Sequence, residues 1–299
     1  MINADRPTSL AKLLAGYGIF PTKRWGQHFL VDRRHLVKLI QIKELQAVET
    51  VLEVGPGPGN LTEMLLDKGF RVLAVEIDDR FVGLLHDRFG QRDDFTLYRM
   101  DVLYRGRLNP TVTSALRACR PRPWALVSNL PYQVATTVML EVLYLPFPPE
   151  VICVTIQKEV AARLGGTPGT RDYSALSVLV QSAAAVKRVS PVPAGSFWPA
   201  PKVDSAIVKL VPYRPPRVAD AGQFRGMVSA IFRNRRKTLR AGFLKSLSPE
   251  ERERFGRAFD ELGIDASFRA QQLAVDDFIG LGNIISTGWQ RPEARVAEQ

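Results

Sequence analysis

The sequence predicts an α/β chain in which a parallel sheet is followed by a small all-helical domain. Three observations carry this. Short β-branched or apolar runs recur with helix-like segments between them, the alternation expected of parallel strands joined by helical crossovers. A loop holding three glycines, Gly55-Pro56-Gly57-Pro58-Gly59, joins the first of these strands to the first helix of the sheet. Beyond a proline-rich stretch at 212–223 the pattern turns purely helical.

Strands are expected at 51–54 (VLEV), 71–77 (RVLAVEI), 95–98 (FTLY), 124–128 (WALVS) and 151–156 (VICVTI), with helices such as 61–68 and 81–89 between them. Asn60 or a residue beside it is a candidate cap for the first of those helices. The run at 205–212 (SAIVKLVP) reads as one more strand near an edge. Residues 212–223 hold three prolines and little apolar content, which reads as a linker. The sheet domain is therefore expected over 1–212 and the helical domain over 213–299, with helices at 224–233, 235–246, 249–262 and about 275–286. The tail from Gln290 is polar and expected to fray.

Composition narrows the class. The chain has 299 residues, 45% hydrophobic and 24% charged, so it can bury a sizeable core. That excludes a disordered chain, a collagen-like repeat and a disulfide-stapled miniprotein. Lys+Arg is 41 against Asp+Glu 30, a formal charge of +11, and arginine supplies 30 of the 41. Guanidinium grips phosphate with two parallel hydrogen bonds, so this excess points to a polyanionic partner; a GC-rich genome favouring arginine codons is the plain alternative. Cys119 and Cys153 are too few for a disulfide framework, and His28, His35 and His86 are scattered, so no metal site is expected. A reducing, cytoplasmic setting is expected. The N-terminus does not read as a secretory signal, and no stretch of about 18 apolar residues occurs, so no membrane span is expected.

The glycine loop lets the backbone approach a ligand closely. The dinucleotide pattern G-x-G-x-x-G fails, because its last position falls on Asn60 or on Thr62. No phosphate-binding G-x-x-x-x-G-K-[ST] loop exists either. A G-x-G-x-G loop preceded by the acidic Glu53 better suits a nucleoside ligand without phosphates, of which S-adenosylmethionine is the common one. Glu76 ends the second strand, where a carboxylate can accept both ribose hydroxyl protons. Asp101 follows the third strand and is placed to bond an adenine amino group. After the fourth strand comes Asn129-Leu130-Pro131-Tyr132. The N6 of adenine is a poor nucleophile because its lone pair is delocalised into the ring. The Asn129 amide oxygen and the Leu130 carbonyl can accept both N6 protons and aim that lone pair at an electrophilic methyl. Pro131 fixes the turn, and Tyr132 offers a face on which a flipped base can stack.

At this point the residues resemble a family, the ribosomal RNA adenine dimethyltransferases, and its small-subunit type in particular. The resemblance runs from about Lys23 to Asn283. It rests on Lys23–Leu30 (KRWGQHFL), Gly55–Gly59, Glu76, Asp101, Asn129–Tyr132, Gln157–Val160, Asp172–Val178, Phe197–Ser205 (FWPAPKVDS) and Arg235–Leu239 (RRKTL). It implies a Rossmann-like class I methyltransferase domain with a helical domain that assists RNA binding. It implies transfer of methyl groups from S-adenosylmethionine, leaving S-adenosylhomocysteine, to two adjacent adenines near the 3′ end of 16S rRNA. Implied cofactor contacts are His28, Leu30, Gly55, Gly57, Gly59, Glu76, Asp101 and Asn129. Implied target-adenine contacts are Asn129, Leu130, Pro131, Tyr132 and Phe197, the last as a ring stacked on the base. Position 28 departs from the pattern, holding His where Asn is more frequent, so its contact would run through backbone or imidazole. The implied partner is 16S rRNA in the small subunit or its precursor, met by a monomeric chain.

Between Ile231 and Lys245 lie Arg233, Arg235, Arg236, Lys237, Arg240 and Lys245 with no acid. On one continuous helix Arg233, Arg236, Lys237 and Arg240 would form a single stripe fit for RNA phosphates, with Phe232, Leu239 and Phe243 facing the core. The rival within the class is the macrolide-resistance type that dimethylates 23S rRNA. A rival from another class is a ribosome-assembly factor acting mainly by binding.

Overall fold

The structure is a computed structural model and describes residues 7–21 and 27–286. In chain order, α1 (Pro7–Gly16), β1 (Phe29–Leu30) and α2 (Arg33–Ile40) come first. The core then runs β2 (Thr50–Val54), α3 (Asn60–Asp67), β3 (Arg71–Glu76), α4 (Asp79–Phe89) and β4 (Phe95–Arg99). A hairpin of β5 (Leu103–Tyr104) and β6 (Arg107–Leu108) leads to α5 (Pro110–Ala118), β7 (Trp124–Asn129), α6 (Ala135–Leu143) and β8 (Val151–Gln157). There follow α7 (Lys158–Leu164), α8 (Ala175–Ala183), β9 (Ala184–Val192), β10 (Phe197–Trp198) and β11 (Ser205–Pro212). The helices α9 (Ala221–Arg233), α10 (Leu239–Gly242), α11 (Pro249–Leu262) and α12 (Val275–Ile284) close the described chain.

Seven strands form one sheet in the order β4-β3-β2-β7-β8-β11-β9. The first five are parallel, and β11 joins β8 antiparallel. Their β-branched and leucine runs are buried on both faces, as parallel strands between helical layers must be. The chain leaves β2 toward β3 and β4, then returns to add β7 and β8 on the other side. That reversal opens a crevice at the carboxyl ends of β2 and β7, where ligands of open α/β sheets bind. The ends of β3 and β7 bring Glu76 and Asn129, and the loops after β2 and β4 bring Gly55 and Asp101, to this one edge. A second, two-stranded ribbon pairs β1 with β10, Phe29 opposite Trp198 and Leu30 opposite Phe197. It ties the segment before α2 to the segment before β11.

The chain divides into two compact units. One comprises the described residues up to Ala161 together with Val186–Pro212; the other comprises Ala162–Ala185 and the described residues from Tyr213. This differs from the sequence reading at 162–185. In the second unit α8 packs against α9 and α12. Tyr173, buried there, donates from its hydroxyl to the Leu273 carbonyl at 2.8 Å, a tie across nearly the whole unit that no local pattern announces. Phe232 stacks on Phe278 with centroids 5.6 Å apart, and Leu239 and Phe243 are buried as expected.

The continuous helix expected at 235–246 is not formed. The helix α9 ends at Arg233 with Asn234 as C-cap, and Thr238 N-caps the four-residue α10 by accepting from the Ala241 amide at 3.2 Å. The stripe is therefore corrected. Arg233 ends one helix, Arg236 and Lys237 sit in the turn, and Arg240 lies on the next helix. Arg233, Arg236 and Lys237 would share one helical face and repel one another there, while asparagine and threonine at the two ends offer caps that a break can use. All four of Arg233, Arg236, Lys237 and Arg240 remain exposed.

Candidate active site

The loops at the carboxyl edge enclose a cavity of about 160 Å³. Its lining includes nine residues that the sequence singled out: His28, Gly55, Gly57, Glu76, Asp101, Asn129, Leu130, Pro131 and Tyr132. Ile77 and Gln133 line it too and were not foreseen, and so does Gln27, which the sequence offered only as part of the Lys23–Leu30 segment.

The glycine loop is built by contact as much as by conformation. Gly57 has φ +55, and a Cβ there would sit 2.7 Å from the Phe29 ring. At Gly55, φ is +66 and a Cβ would meet Pro131 at 2.8 Å, so this glycine lets the Asn129–Tyr132 turn close on the loop. Gly59 differs. It does not line the cavity, and a Cβ there would meet Phe89 and Leu85 of α4; it serves packing and, at φ +85, is itself the N-cap of α3. Asn60 is thus not the cap. It is the first residue of α3, and both its side-chain amide atoms are buried without a partner.

Glu76 is buried and accepts three backbone amides, from Gly57 at 3.1 Å, Ile77 at 2.9 Å and Asp78 at 3.0 Å. Burial pushes its pKa up, and the three donors pull against that shift. The carboxylate is locked in orientation, with lone-pair capacity left on Oε2, which takes one of the three. Next to it, Asp78 accepts from Gln27 Nε2 at 2.8 Å and pairs with Arg80 at 2.6 Å. Burial alone would raise the Asp78 carboxyl; the bonds from Arg80 and Gln27 outweigh it and hold the pKa below the usual range. Arg80 also donates to the Phe20 carbonyl at 3.1 Å. The corner after β3 thereby holds Gln27 and Phe20 of the N-terminal segment. Asp101 is exposed at the cavity rim and accepts from the Leu103 amide at 2.9 Å.

On the opposite wall, Asn129 donates from Nδ2 to the His28 carbonyl at 3.0 Å. Its Oδ1 is buried and has no partner. An unpaired buried acceptor carries a desolvation penalty unless a ligand meets it, which makes this the most telling atom of the site. The His28 imidazole is 2.8 Å from the Pro199 carbonyl through Nδ1, which must therefore donate, and its ring lies 5.9 Å from that of Tyr132. The departure from asparagine at position 28 is accommodated in this way: the backbone holds Asn129 while the ring braces the chain after β10. The Tyr132 hydroxyl is 2.9 Å from Ser205 Oγ, and burial pushes its pKa up, so the phenol stays neutral and its plane is fixed.

This edge therefore presents a fixed carboxylate, a glycine loop and an amide acceptor around one cavity. A model of the family described as ribosomal RNA adenine dimethylase matches residues 21–287. The chain belongs to the ribosomal RNA adenine dimethylase family. It is 38% identical over 285 residues, 94% of this chain and 95% of the relative, to ribosomal RNA small subunit methyltransferase A of Lactiplantibacillus plantarum. It is 34% identical over 94% of its length, and 96% of the relative's, to the protein of the same name in Geobacillus kaustophilus. Among solved structures, a dimethyladenosine transferase from Plasmodium falciparum shares the fold with a TM-score of 0.69 over 85% of this chain and 96% of that one, at 24% identity. The 23S rRNA methyltransferase ErmE matches with a TM-score of 0.61 at 26% identity, over 87% of this chain and 100% of that one. The chain is accordingly an rRNA adenine methyltransferase with a Rossmann-like sheet.

Three residues drawn from the family resemblance lie off the cavity. Leu30 is 3% exposed in the β1–β10 ribbon and faces a separate void of about 20 Å³ beside Glu53, Asn60 and Asn129. Gly59 packs on α4 as described above. Phe197 is also 3% exposed, its segment paired with β1, so in this dimethylase its ring is core and shows no open face to a base.

Glu53, on β2 just before the glycine loop, gives the fold a pH-dependent element. It is fully buried, accepts from Thr62 Oγ1 at 2.7 Å, and has its pKa pushed from 4.5 up to about 8 by burial, with the neighbouring Glu76 charge adding to the shift. A folded-state pKa above the unfolded value means that the folded chain holds the proton more tightly. This contribution to stability is complete below about pH 4.5 and is lost as pH rises to about 8. Glu53→Gln cannot ionise and can still accept from Thr62. Its melting temperature is expected to match wild type near pH 4.5 and to exceed it increasingly toward pH 8, as thermal melts across that range will show.

Proposed function

We propose that this chain transfers methyl groups from S-adenosylmethionine to N6 of two adjacent adenines near the 3′ end of 16S rRNA, giving N6,N6-dimethyladenosines during small-subunit biogenesis. The observation that carries the reading is the buried, unpaired Oδ1 of Asn129 beside the locked carboxylate of Glu76. The relatives named for the small subunit, at 34% and 38% identity, favour that substrate over the 23S type, represented by ErmE at 26%.

The residues present fit the cofactor. Glu76 offers lone pairs to the ribose hydroxyls, Ile77 and Val102 give apolar walls for an adenine, and Asp101 stands at the rim for its amino group. The unpartnered amide atoms of Asn60 lie beside the glycine loop, where the amino-acid end of such a ligand needs both donors and acceptors. When bound, S-adenosylmethionine supplies an electrophilic methyl on a sulfonium. The chain's own groups do the rest. Asn129 Oδ1 and the Leu130 carbonyl accept the two N6 protons of the target base and draw its lone pair out of the ring. Tyr132, held by Ser205, supports the flipped base. The bound group would supply the methyl and leave as a neutral thioether, and the methylated N6, held by Asn129 Oδ1 and the Leu130 carbonyl, would be acidic and would give its proton to water. No general base is required; the gain is positioning and electrostatics.

The second unit supplies Arg233, Arg236, Lys237 and Arg240 as phosphate contacts, now as a turn flanked by two helix ends. Arg236→Glu with Arg240→Glu is expected to weaken binding to small-subunit particles and to flatten its salt dependence. Each lost contact should lower the slope of log K against log salt by about 0.7–0.9. S-adenosylmethionine affinity should stay at the wild-type value. Filter binding over a salt series checks the first effect and calorimetry the second. The chain is proposed to act in the cytoplasm as a monomer, the latter checked by light scattering. The functional reading is tested by incubating the purified chain with labelled S-adenosylmethionine and either small or large ribosomal subunits from unmodified cells. Label in dimethyladenine of the small-subunit RNA is expected; label in 23S rRNA alone would transfer the assignment to the macrolide-resistance type.

A further inference from the structure

The hairpin β5–β6 has a composition that packing does not account for. Its strands pair Leu103 with Leu108 and Tyr104 with Arg107, leaving a two-residue loop of Arg105 and Gly106. Both loop residues have positive φ, 51° and 73°, the geometry of a tight hairpin turn in which Asn-Gly or Asp-Gly is the usual pair. Arg105 is the one non-glycine with positive φ among the described residues. A left-handed conformation disfavours a side chain with a Cβ, and strained residues of this kind persist mainly at functional sites. Local stability would select asparagine or glycine here, and the chain holds a cation instead.

The rest of the hairpin tip is equally unusual. Tyr104 is 53% exposed, among the most exposed large hydrophobic side chains described. The Arg105 guanidinium lies over the Tyr104 ring, 5.4 Å from its centroid, and no carboxylate among the described residues pairs with it. The hairpin's base, by contrast, is anchored to the walls of the active-site cavity. Asn109 closes it by bonding the Asp101 carbonyl at 3.1 Å and the Val102 carbonyl at 2.9 Å, and both of those residues line the cavity. Arg107 pairs with the buried Glu141 of α6 at 3.0 Å, and Glu141 also accepts from the Leu108 amide. That helix starts directly after Gln133 and Val134, which line the cavity as well. An exposed aromatic ring beside a cation that no described carboxylate pairs with thus stands at the tip of a hairpin whose base is anchored at the cavity, three residues beyond Asp101.

We propose that Tyr104 and Arg105 form a contact for the single-stranded RNA flanking the target adenine: the ring stacks on a neighbouring base and the guanidinium meets its phosphate. Every base offers a π-face, so such a contact holds a strand without reading its sequence. It would steady the backbone on one side of a nucleotide that must leave its stack. The inference rests on the reading that rRNA adenine is the substrate, and extends it to a site on the catalytic unit that the glycine-loop and Asn129 motifs do not include.

The test uses the full chain and unmodified small-subunit particles. Tyr104→Ala is expected to weaken binding by about 5- to 150-fold, and Tyr104→Phe to stay within about twofold of wild type. Arg105→Gly is expected to lower the salt slope by about 0.7 while leaving the melting temperature unchanged or higher, because glycine relieves the strained φ. S-adenosylmethionine affinity should be unchanged in all three. If wild type methylates the particles and both Tyr104→Ala and Arg105→Gly keep its affinity and salt slope, the hairpin contact is wrong and the catalytic reading stands. If wild type does not methylate adenine in these particles, the functional reading falls and the hairpin proposal falls with it.

Discussion

Asn129→Ala is expected to lower the turnover of adenine methylation by about 10²–10³, the scale of losing one preorganised polar contact to the reacting group. The geometry explains why so short a side chain should matter so much. Its Nδ2 is held by the His28 carbonyl, which leaves Oδ1 buried and unpaired at the cavity. That acceptor is already desolvated and oriented before any base arrives, so no reorganisation is needed as charge develops on N6. Alanine removes both the acceptor and the tie to residue 28, so a smaller loss of cofactor affinity is expected beside the kinetic one. Asn129→Asp separates the two functions. It keeps an acceptor at the same place but cannot donate to the His28 carbonyl, and two oxygens would then face each other at about the former hydrogen-bond distance. Single-turnover assays on small-subunit particles, with cofactor affinity measured in parallel, check this. Wild-type rates of dimethylation by a folded Asn129→Ala protein would remove the residue from the mechanism.

Glu76→Ala is expected to weaken S-adenosylmethionine binding by about 10- to 150-fold, the equivalent of about 1.5–3 kcal/mol for a hydrogen bond to a charged group. The carboxylate is positioned by the Gly57, Ile77 and Asp78 amides, and those three donors lose their partner in the variant. Some of the damage will therefore appear as lower thermal stability. Glu76→Gln keeps an acceptor for part of this set and should melt closer to wild type while still binding cofactor poorly. Affinity for RNA should change little in either variant. Calorimetry on a folded Glu76 variant that returned wild-type cofactor affinity would mean the ribose lies elsewhere.

The central strands were legible because buried parallel strands must be continuous apolar runs. The run VLEV at 51–54 forms Thr50–Val54, WALVS forms Trp124–Asn129 and VICVTI forms Val151–Gln157. The edge strand β9 was not, and its residues say why. In AAVKRVSPV, Lys187, Arg188 and Pro191 are exposed, the charges and proline that guard an edge against further pairing and that erase a hydrophobic signal. The break at Asn234–Thr238 was written in the sequence as a C-cap and an N-cap, but the helical spacing of the arginines overrode it. At the site, the residues whose chemistry is local to a strand end, Glu76, Asp101 and Asn129, could be placed from order alone. Gln27 and Asp78 could not, because their meaning lies in a bond spanning 51 positions. Phe197 and Leu30 show the opposite limit. A motif brings a residue to the right segment, and only the ribbon between β1 and β10 decides that its side chain turns into the core.

The most direct measurement is mass mapping of methylated adenines in rRNA from cells that contain the wild-type chain, lack it, or carry Asn129→Ala. N6,N6-dimethyladenine is expected at two adjacent positions near the 3′ end of 16S rRNA with the wild-type chain. Unmodified adenine is expected there without the chain, and largely unmodified adenine with Asn129→Ala. Dimethyladenine that persists at those positions in cells lacking the chain, or that disappears from 23S rRNA instead, would contradict it.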